Sequence, residues 1–290
     1  MMPGMEIVGP VRQEETGADL VPPSLDKARE FARQSKAENT IRGYRSDWKD
    51  FCGWCDRRGT GPLPASPETV ASYMADCAGR LKSGSIQRRL NAIAEAHKAT
   101  GLESPTASGI VRNTFKGIRR TIGTAATQKA PALTQDIRAM VAAADEGRIG
   151  HRDRALILLG FAGAFRRSEL VGLDVADLTF NRDGLTVLLR RSKTDQEGQG
   201  RKIGLPYGSN PDTCPVRVAQ AWLELAGVTM GPVFRSINRH GHVQEGGLSS
   251  IDVARVVKKL AERTGLDPAK YAGHSLRAGH ATCAAMAGAS

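Results

Sequence analysis

Gly273-His274-Ser275-Leu276-Arg277-Ala278-Gly279 puts a histidine and an arginine one helical turn apart near the last residue, Ser290. Far upstream, Gly163-Ala164-Phe165-Arg166-Arg167-Ser168-Glu169-Leu170 carries an arginine with an acid three residues behind it, and Arg190-Arg191-Ser192-Lys193-Thr194-Asp195 carries a lysine among polar residues. Arginine presents a fixed planar fork to phosphate, and lysine a mobile proton donor. Two arginines, a histidine and a lysine gathered from distant segments suit a cluster that grips a phosphodiester and stabilises its charge during transfer. Taken singly, Arg166-Arg167 reads as a solvated helix end, Lys193 as a surface lysine and His274 as a structural histidine. The combination of the three segments points to an active site.

Working outward, Asp153 to Phe165 is an apolar helix, and Leu185 to Arg190 with Arg201 to Leu205 read as two short strands around the polar loop that holds Lys193. Helices at Pro215 to Ala226 and Ser249 to Arg263 complete an α-rich domain with a small antiparallel sheet. Upstream of it, Gly123 to Pro131 is small, polar and ends in proline, the composition of a linker. No strand pattern precedes residue 180. From Asn39 the residues Ile41, Tyr44, Trp48, Phe51, Cys52 and Cys55 recur at helical spacing, with Arg42, Arg45 and Lys49 off that stripe. Ser66-Pro67 opens a second helix carrying Val70, Tyr73, Met74 and Cys77 inward, and two basic helices follow around residues 85–100 and 108–121. The expectation is a mainly α chain: a flexible tail over 1–23 with structure starting near Ser24, an all-helical bundle over 24–122, a linker over 123–131, and a second domain over 132–290.

The chain has 290 residues, 40% of them hydrophobic, enough for two compact cores. Forty-one Lys and Arg against thirty Asp and Glu give a net charge of +11. That favours a polyanionic partner, although a merely basic enzyme has the same total. Position is more telling: Arg112, Lys116, Arg119, Arg120 and Lys129 occur with no acid between Ile110 and Lys129, and Arg80, Lys82, Arg88, Arg89 and Lys98 are opposed by Glu95 alone. Clustered cations are what phosphate contacts need, so Arg42, Arg45, Lys49, Lys82, Arg88, Arg89, Arg112, Lys116, Arg119 and Arg120 are the candidate DNA-binding residues. The longest apolar run, Ala155 to Phe165, is too short to cross a bilayer, and the N-terminus lacks a basic segment followed by an apolar core. A cytoplasmic, nucleoid-associated protein is expected, with no membrane partner. Five cysteines are too few and too scattered for a disulfide framework. Cys52-Gly-Trp-Cys55 has redox or metal spacing but reads as packing on a helix, and His240-Gly-His242 as a loop; no metal or cofactor is expected.

The three motifs, in this order and on this domain pattern, resemble the tyrosine recombinases of the phage integrase family, and within them the Cre-like branch. The resemblance implies a helical core-binding domain (SAM-like) followed by a catalytic domain of the DNA breaking-rejoining enzyme type. Arg166 matches the family's first arginine, Glu169 the acid that supports it, Lys193 the hairpin lysine that acts as general acid, and His274 with Arg277 the His-x-x-Arg box. It also implies the activity: a tyrosine attacks the scissile phosphate of a duplex recombination site, forms a 3′-phosphotyrosyl link and frees a 5′-hydroxyl, without metal or ATP, within a homo-tetramer on DNA. The family carries that tyrosine a few tens of residues beyond the box, whereas thirteen residues follow Arg277 here and none is tyrosine. The expectation is therefore a catalytic domain cut short before its nucleophile, binding DNA without cleaving it. A non-catalytic DNA-binding relative and a type IB topoisomerase-like enzyme are the alternatives.

Overall fold

The computed structural model describes residues 37–125, 128–190 and 199–289. The expected tail, the start at Ser24 and Lys193 lie outside these. The chain divides into two units, one up to Ala126 and one from Thr127.

The described part of the first unit is helical. Its helices are α1 (Glu38–Arg58), α2 (Pro67–Ala78), α3 (Ser83–Ala99) and α4 (Gly109–Ile122). Ser66 caps α2 by accepting the Thr69 N–H, with Pro67 in the first turn where its missing N–H costs nothing. Ser108 caps α4 in the same way through the Val111 N–H. The apolar stripes converge: Phe51, Cys55, Val70, Tyr73, Met74, Cys77, Ile86, Ile93 and Val111 form one core. Cys55 is fully buried and Cys52 half-buried, and burial pushes both thiols upward, as expected of packed rather than reactive cysteines.

The second unit begins with α5 (Thr134–Ala142), α6 (Arg148–Ala162) and the short α7 (Arg167–Val171). A three-stranded antiparallel meander follows: β1 (Leu178–Asn181), β2 (Gly184–Leu189) and β3 (Arg201–Pro206), in register Leu178 to Val187 and Leu189 to Arg201. Then come α8 (Pro215–Ala226), a hairpin of β4 (Arg235–Ile237) and β5 (Val243–Gly247), α9 (Ser250–Arg263) and α10 (Gly273–Met286). β1 and the β4–β5 hairpin depart from the two-strand expectation. Both are short: β1 alternates Leu178, Thr179, Phe180 and Asn181 over four residues only, and β5 is mostly exposed and glycine-ended, too little to mark a strand in the sequence. His240 and His242 sit in the turn of that hairpin, around Asn238. The α6 helix starts earlier and ends earlier than its apolar run, because Ala164 takes φ 49° and leaves Phe165 buried beyond the helix end.

The segment after Gln128 is strapped against the residues that lead into α10 and its first turn. Ala130 N–H donates to the Lys270 carbonyl at 2.8 Å, Ala132 N–H to that of Ser275 at 2.9 Å, and Lys129 Nζ to that of Ala269 at 2.6 Å. Half of the expected linker thus packs as part of the second unit. Gly279 permits the approach: a Cβ there would sit 1.8 Å from the Ala132 carbonyl oxygen. Asp145, after α5, ties down α9 through Lys259 at 2.9 Å and Arg263 at 2.7 Å. No helix among the described residues is long and apolar enough to cross a membrane.

Two outcomes follow. Gly279→Ala should lower stability by about 1–3 kcal/mol in denaturant unfolding, although alanine in a free helix interior gains about 0.5–1 kcal/mol over glycine. The Asp145 carboxyl is held down to about 2, chiefly by its hydrogen bonds from Lys259 and Arg263. A depressed carboxylate stabilises the fold above its ordinary value of 3.8 and stops doing so as pH falls through about 2, so Asp145→Asn should lower the thermal midpoint at neutral pH and match wild type near pH 2.

Candidate active site and nucleic-acid surface

Arg166 is the residue from which α7 springs, and Glu169 returns to it from the first turn. Glu169 Oε2 accepts the Arg166 backbone N–H at 2.8 Å, and Oε1 accepts Arg166 Nη1 at 2.7 Å. The carboxylate is 3% exposed, the guanidinium side chain 25%. A buried carboxylate needs such partners, and here they orient the arginine as well as satisfy the acid. Nη2 and Nε of Arg166 keep no partner among the described residues.

Arg277 reaches the same turn from α10. Its Nη1 donates to the Ala164 carbonyl at 2.6 Å. Ala164 presents that oxygen from the left-handed region, φ 49°, a conformation that costs a non-glycine residue roughly 1–2 kcal/mol. Gly160 brings α6 and α10 close enough for this: its Cβ, if present, would lie 2.7 Å from Leu276 Cδ1. Two arginines separated by 111 positions (277 − 166) are thereby fixed on the six residues from Ala164 to Glu169. His274, one turn before Arg277, is exposed at the N-terminus of α10. His280 is turned away, its ring edge-on to Phe161 at 5.9 Å.

One further cation is present that the sequence reading passed over. Arg201 opens β3 and brings Nη2 to 4.0 Å from Glu169 Oε2. Its signal was faint, a lone arginine at the first residue of a strand. Tyr73 donates to Asp50 at 2.7 Å, Tyr207 lies under the Arg217 guanidinium at 4.9 Å, and Tyr271 faces Asp136 at 3.4 Å. Tyr44 is on α1, in the first unit.

In the first unit, Arg42, Arg45 and Lys49 are exposed along α1, and Lys82 and Arg88 are exposed at α3. Arg112, Lys116, Arg119 and Arg120 form an exposed stripe on α4. Arg88 also pairs with Asp47 at 2.6 Å, a carboxylate 3% exposed, so part of its charge holds α1 to α3. Arg89 departs from the expected outward placement. Its side chain is 13% exposed and bonds both Asp50 and the Tyr73 hydroxyl. Burial would raise the Asp50 carboxyl, but the Tyr73 hydroxyl and Arg89 outweigh it and hold it below the usual range; burial and the bond to Asp50 push the Tyr73 phenol up. A one-residue step turns the side chain by about 100° around a helix, which puts Arg89, three residues after Ile86 and four before Ile93, on the buried stripe and Arg88 off it; the charge count did not use that spacing.

The phage integrase family pattern matches residues 132–290, more than half of the chain. The chain belongs to the phage integrase family. It is 43% identical over 264 residues to the integrase/recombinase xerD homolog of Selenomonas ruminantium, spanning 90% of this chain and 77% of that relative. Its identity to the recombinase cre of Escherichia phage P1 is 23% over 279 residues, 89% and 79% of the two chains. Among solved structures, the Tn1549 transposon integrase in complex with transposon right end DNA superposes with a TM-score of 0.59 at 16% identity, covering 91% of this chain and 86% of that one. A likeness at that identity establishes the shared fold, and the family's helical architecture with small antiparallel sheets is the one described above.

The two placements of arginine differ in what they do for the fold. Arg89→Ala strips Asp50 and the Tyr73 hydroxyl of a buried partner and should lower unfolding stability by about 1–3 kcal/mol. Arg112→Ala, on the exposed stripe, should stay within about 0.5 kcal/mol of wild type in the same denaturant titration.

Proposed function

We propose that this chain is the DNA-binding and phosphate-gripping part of a site-specific tyrosine recombinase. The observation that carries the reading is the convergence of Arg166 and Arg277 on one turn, each with guanidinium N–H groups that have no partner among the described residues. Their charge suits the nonbridging oxygens of a phosphodiester in its pentacoordinate transition state. Glu169 orients Arg166, and His274 hydrogen-bonds to the phosphate or moves a proton at it. Lys193, outside the described residues, is the general acid for the departing 5′-hydroxyl, a role taken from the family motif. The attacking group of the family's reaction is a tyrosine, and the product is a 3′-phosphotyrosyl link that a 5′-hydroxyl later reverses.

The helical unit is the core-binding domain and the second unit the catalytic domain, and each contacts a duplex recombination site. Arg42, Arg45, Lys49 and Lys82, with Arg112, Lys116, Arg119 and Arg120, supply backbone contacts that dominate affinity, and four such protomers act on two duplexes. The partner is double-stranded DNA in the cytoplasm.

The test begins with a duplex selected by the chain from a random pool. Its binding should weaken steeply with salt, and Arg112→Ala or Lys116→Ala should each reduce the salt slope by about 1. On a nicked form of that duplex the 290-residue chain should give no covalent adduct. Joined to a C-terminal segment carrying a tyrosine it should give one, and Arg166→Ala or Arg277→Ala should cut the yield by about 10²–10³. No adduct from the joined form, with duplex binding intact, would favour a non-catalytic DNA binder; equal yields from the arginine variants would refute the site.

A further inference from the structure

We propose that Arg201 is a positioning residue for Arg166, acting through the Glu169 carboxylate. The inference rests on the reading of Arg166 as a phosphate ligand and concerns what keeps that arginine in place once the phosphate arrives.

Both oxygens of Glu169 are committed. Oε1 takes Arg166 Nη1, and Oε2 takes the Arg166 backbone N–H while facing Arg201 Nη2 at 4.0 Å. An ion pair at that distance between exposed groups would contribute little. Here the acid is 3% exposed and the arginine 49%, so the field between them is screened by solvent from one side only. The backbone of Arg201 is held where it must be. It pairs with Leu189, which is buried, and the next residue, Arg190, donates to Asp177 Oδ1 at 2.6 Å, fastening the end of the sheet beside α7. A small cavity of about 290 Å³, lined by Ser168, Glu169, Leu189 and Arg190 among others, marks the seam between α7 and the sheet.

Electrostatics then assign Arg201 its task. In the unliganded chain the guanidinium of Arg166 neutralises Glu169. A phosphodiester at Arg166 shares that positive charge and sets a negative charge near a buried carboxylate, which repels it. A second cation on the far oxygen offsets the repulsion and keeps the carboxylate aligned on Arg166. Among the described residues Arg201 is the cation that meets Glu169 from outside the Arg166 turn, and it does so without taking any hydrogen bond that Arg166 uses.

The experiment is a double-mutant cycle on the full 290-residue chain, read as affinity for its selected duplex and as the guanidinium N–H resonance of Arg166 in the complex. Arg201→Gln should weaken binding about three- to tenfold in the native background and less than about twofold in a Glu169→Gln background, because the coupling runs through the carboxylate. Arg201→Lys should restore most of the affinity and return the Arg166 resonance to its native position, which a merely structural role would not require; unfolding midpoints identify any variant that fails to fold. An equal loss in both backgrounds would mean that Arg201 touches phosphate directly and would overturn the proposal, as would an Arg166 resonance indifferent to Arg201→Gln. An Arg166→Ala chain that binds as tightly as wild type would instead remove the phosphate reading beneath it.

Discussion

Arg277 can stand beside Arg166 because the carbonyl of Ala164 is turned out to meet it at 2.6 Å, and the carbonyl is turned out because Ala164 adopts a positive φ. The remaining features of the second unit serve that contact. Phe165, buried just past the end of α6, anchors the turn from inside. The Glu169 carboxylate closes it from the α7 side by taking the Arg166 backbone and side chain together. Strain of this kind persists only where the surroundings over-determine it, and here the determination comes from a hydrogen bond, a buried ring and a capped helix at once.

The same helix that brings Arg277 inward is held near its start by the strap from Lys129 to Ala132. Two backbone hydrogen bonds and the missing side chain of Gly279 bring α10 close to that strand of chain. The histidine and arginine of the His-x-x-Arg box thus stand on a helix held at Ser275 and Gly279, with the chain leading into it held at Lys270. Glu169 shows the same economy. One buried acid terminates a helix, orients a guanidinium and receives Arg201 from the sheet.

Much of this was legible in the chain. Helical spacing identified α1 and α2 with their inward residues, serine followed by proline located the start of α2, and Pro215 to Ala226 matched α8 at both ends. The motif residues were legible because their chemistry is specific: an arginine with an acid three residues on is a recognisable helix start, and His-x-x-Arg puts two polar groups one turn apart. β1, β4 and β5 were not, since three to five residues with mixed polarity carry too little periodicity to be distinguished from loop. Arg89 was misjudged because charge counts treat every arginine alike, while its burial depends on Asp50 and Tyr73 arriving from two other helices.

Local sequence is enough for the class of this protein: mainly helical, basic along the faces of particular helices, and furnished with three motifs whose residue types suit a phosphodiester. Those properties depend on neighbours a few positions apart, and local spacing expresses them directly. Tertiary packing sets which cations converge, that Arg89 pairs with Asp50 and Tyr73, that Arg201 faces Glu169, and that half of the expected linker is bound against the start of α10. Each of those depends on contacts between residues tens to more than a hundred positions apart, and such contacts are set by how buried surfaces pack, which no local pattern records.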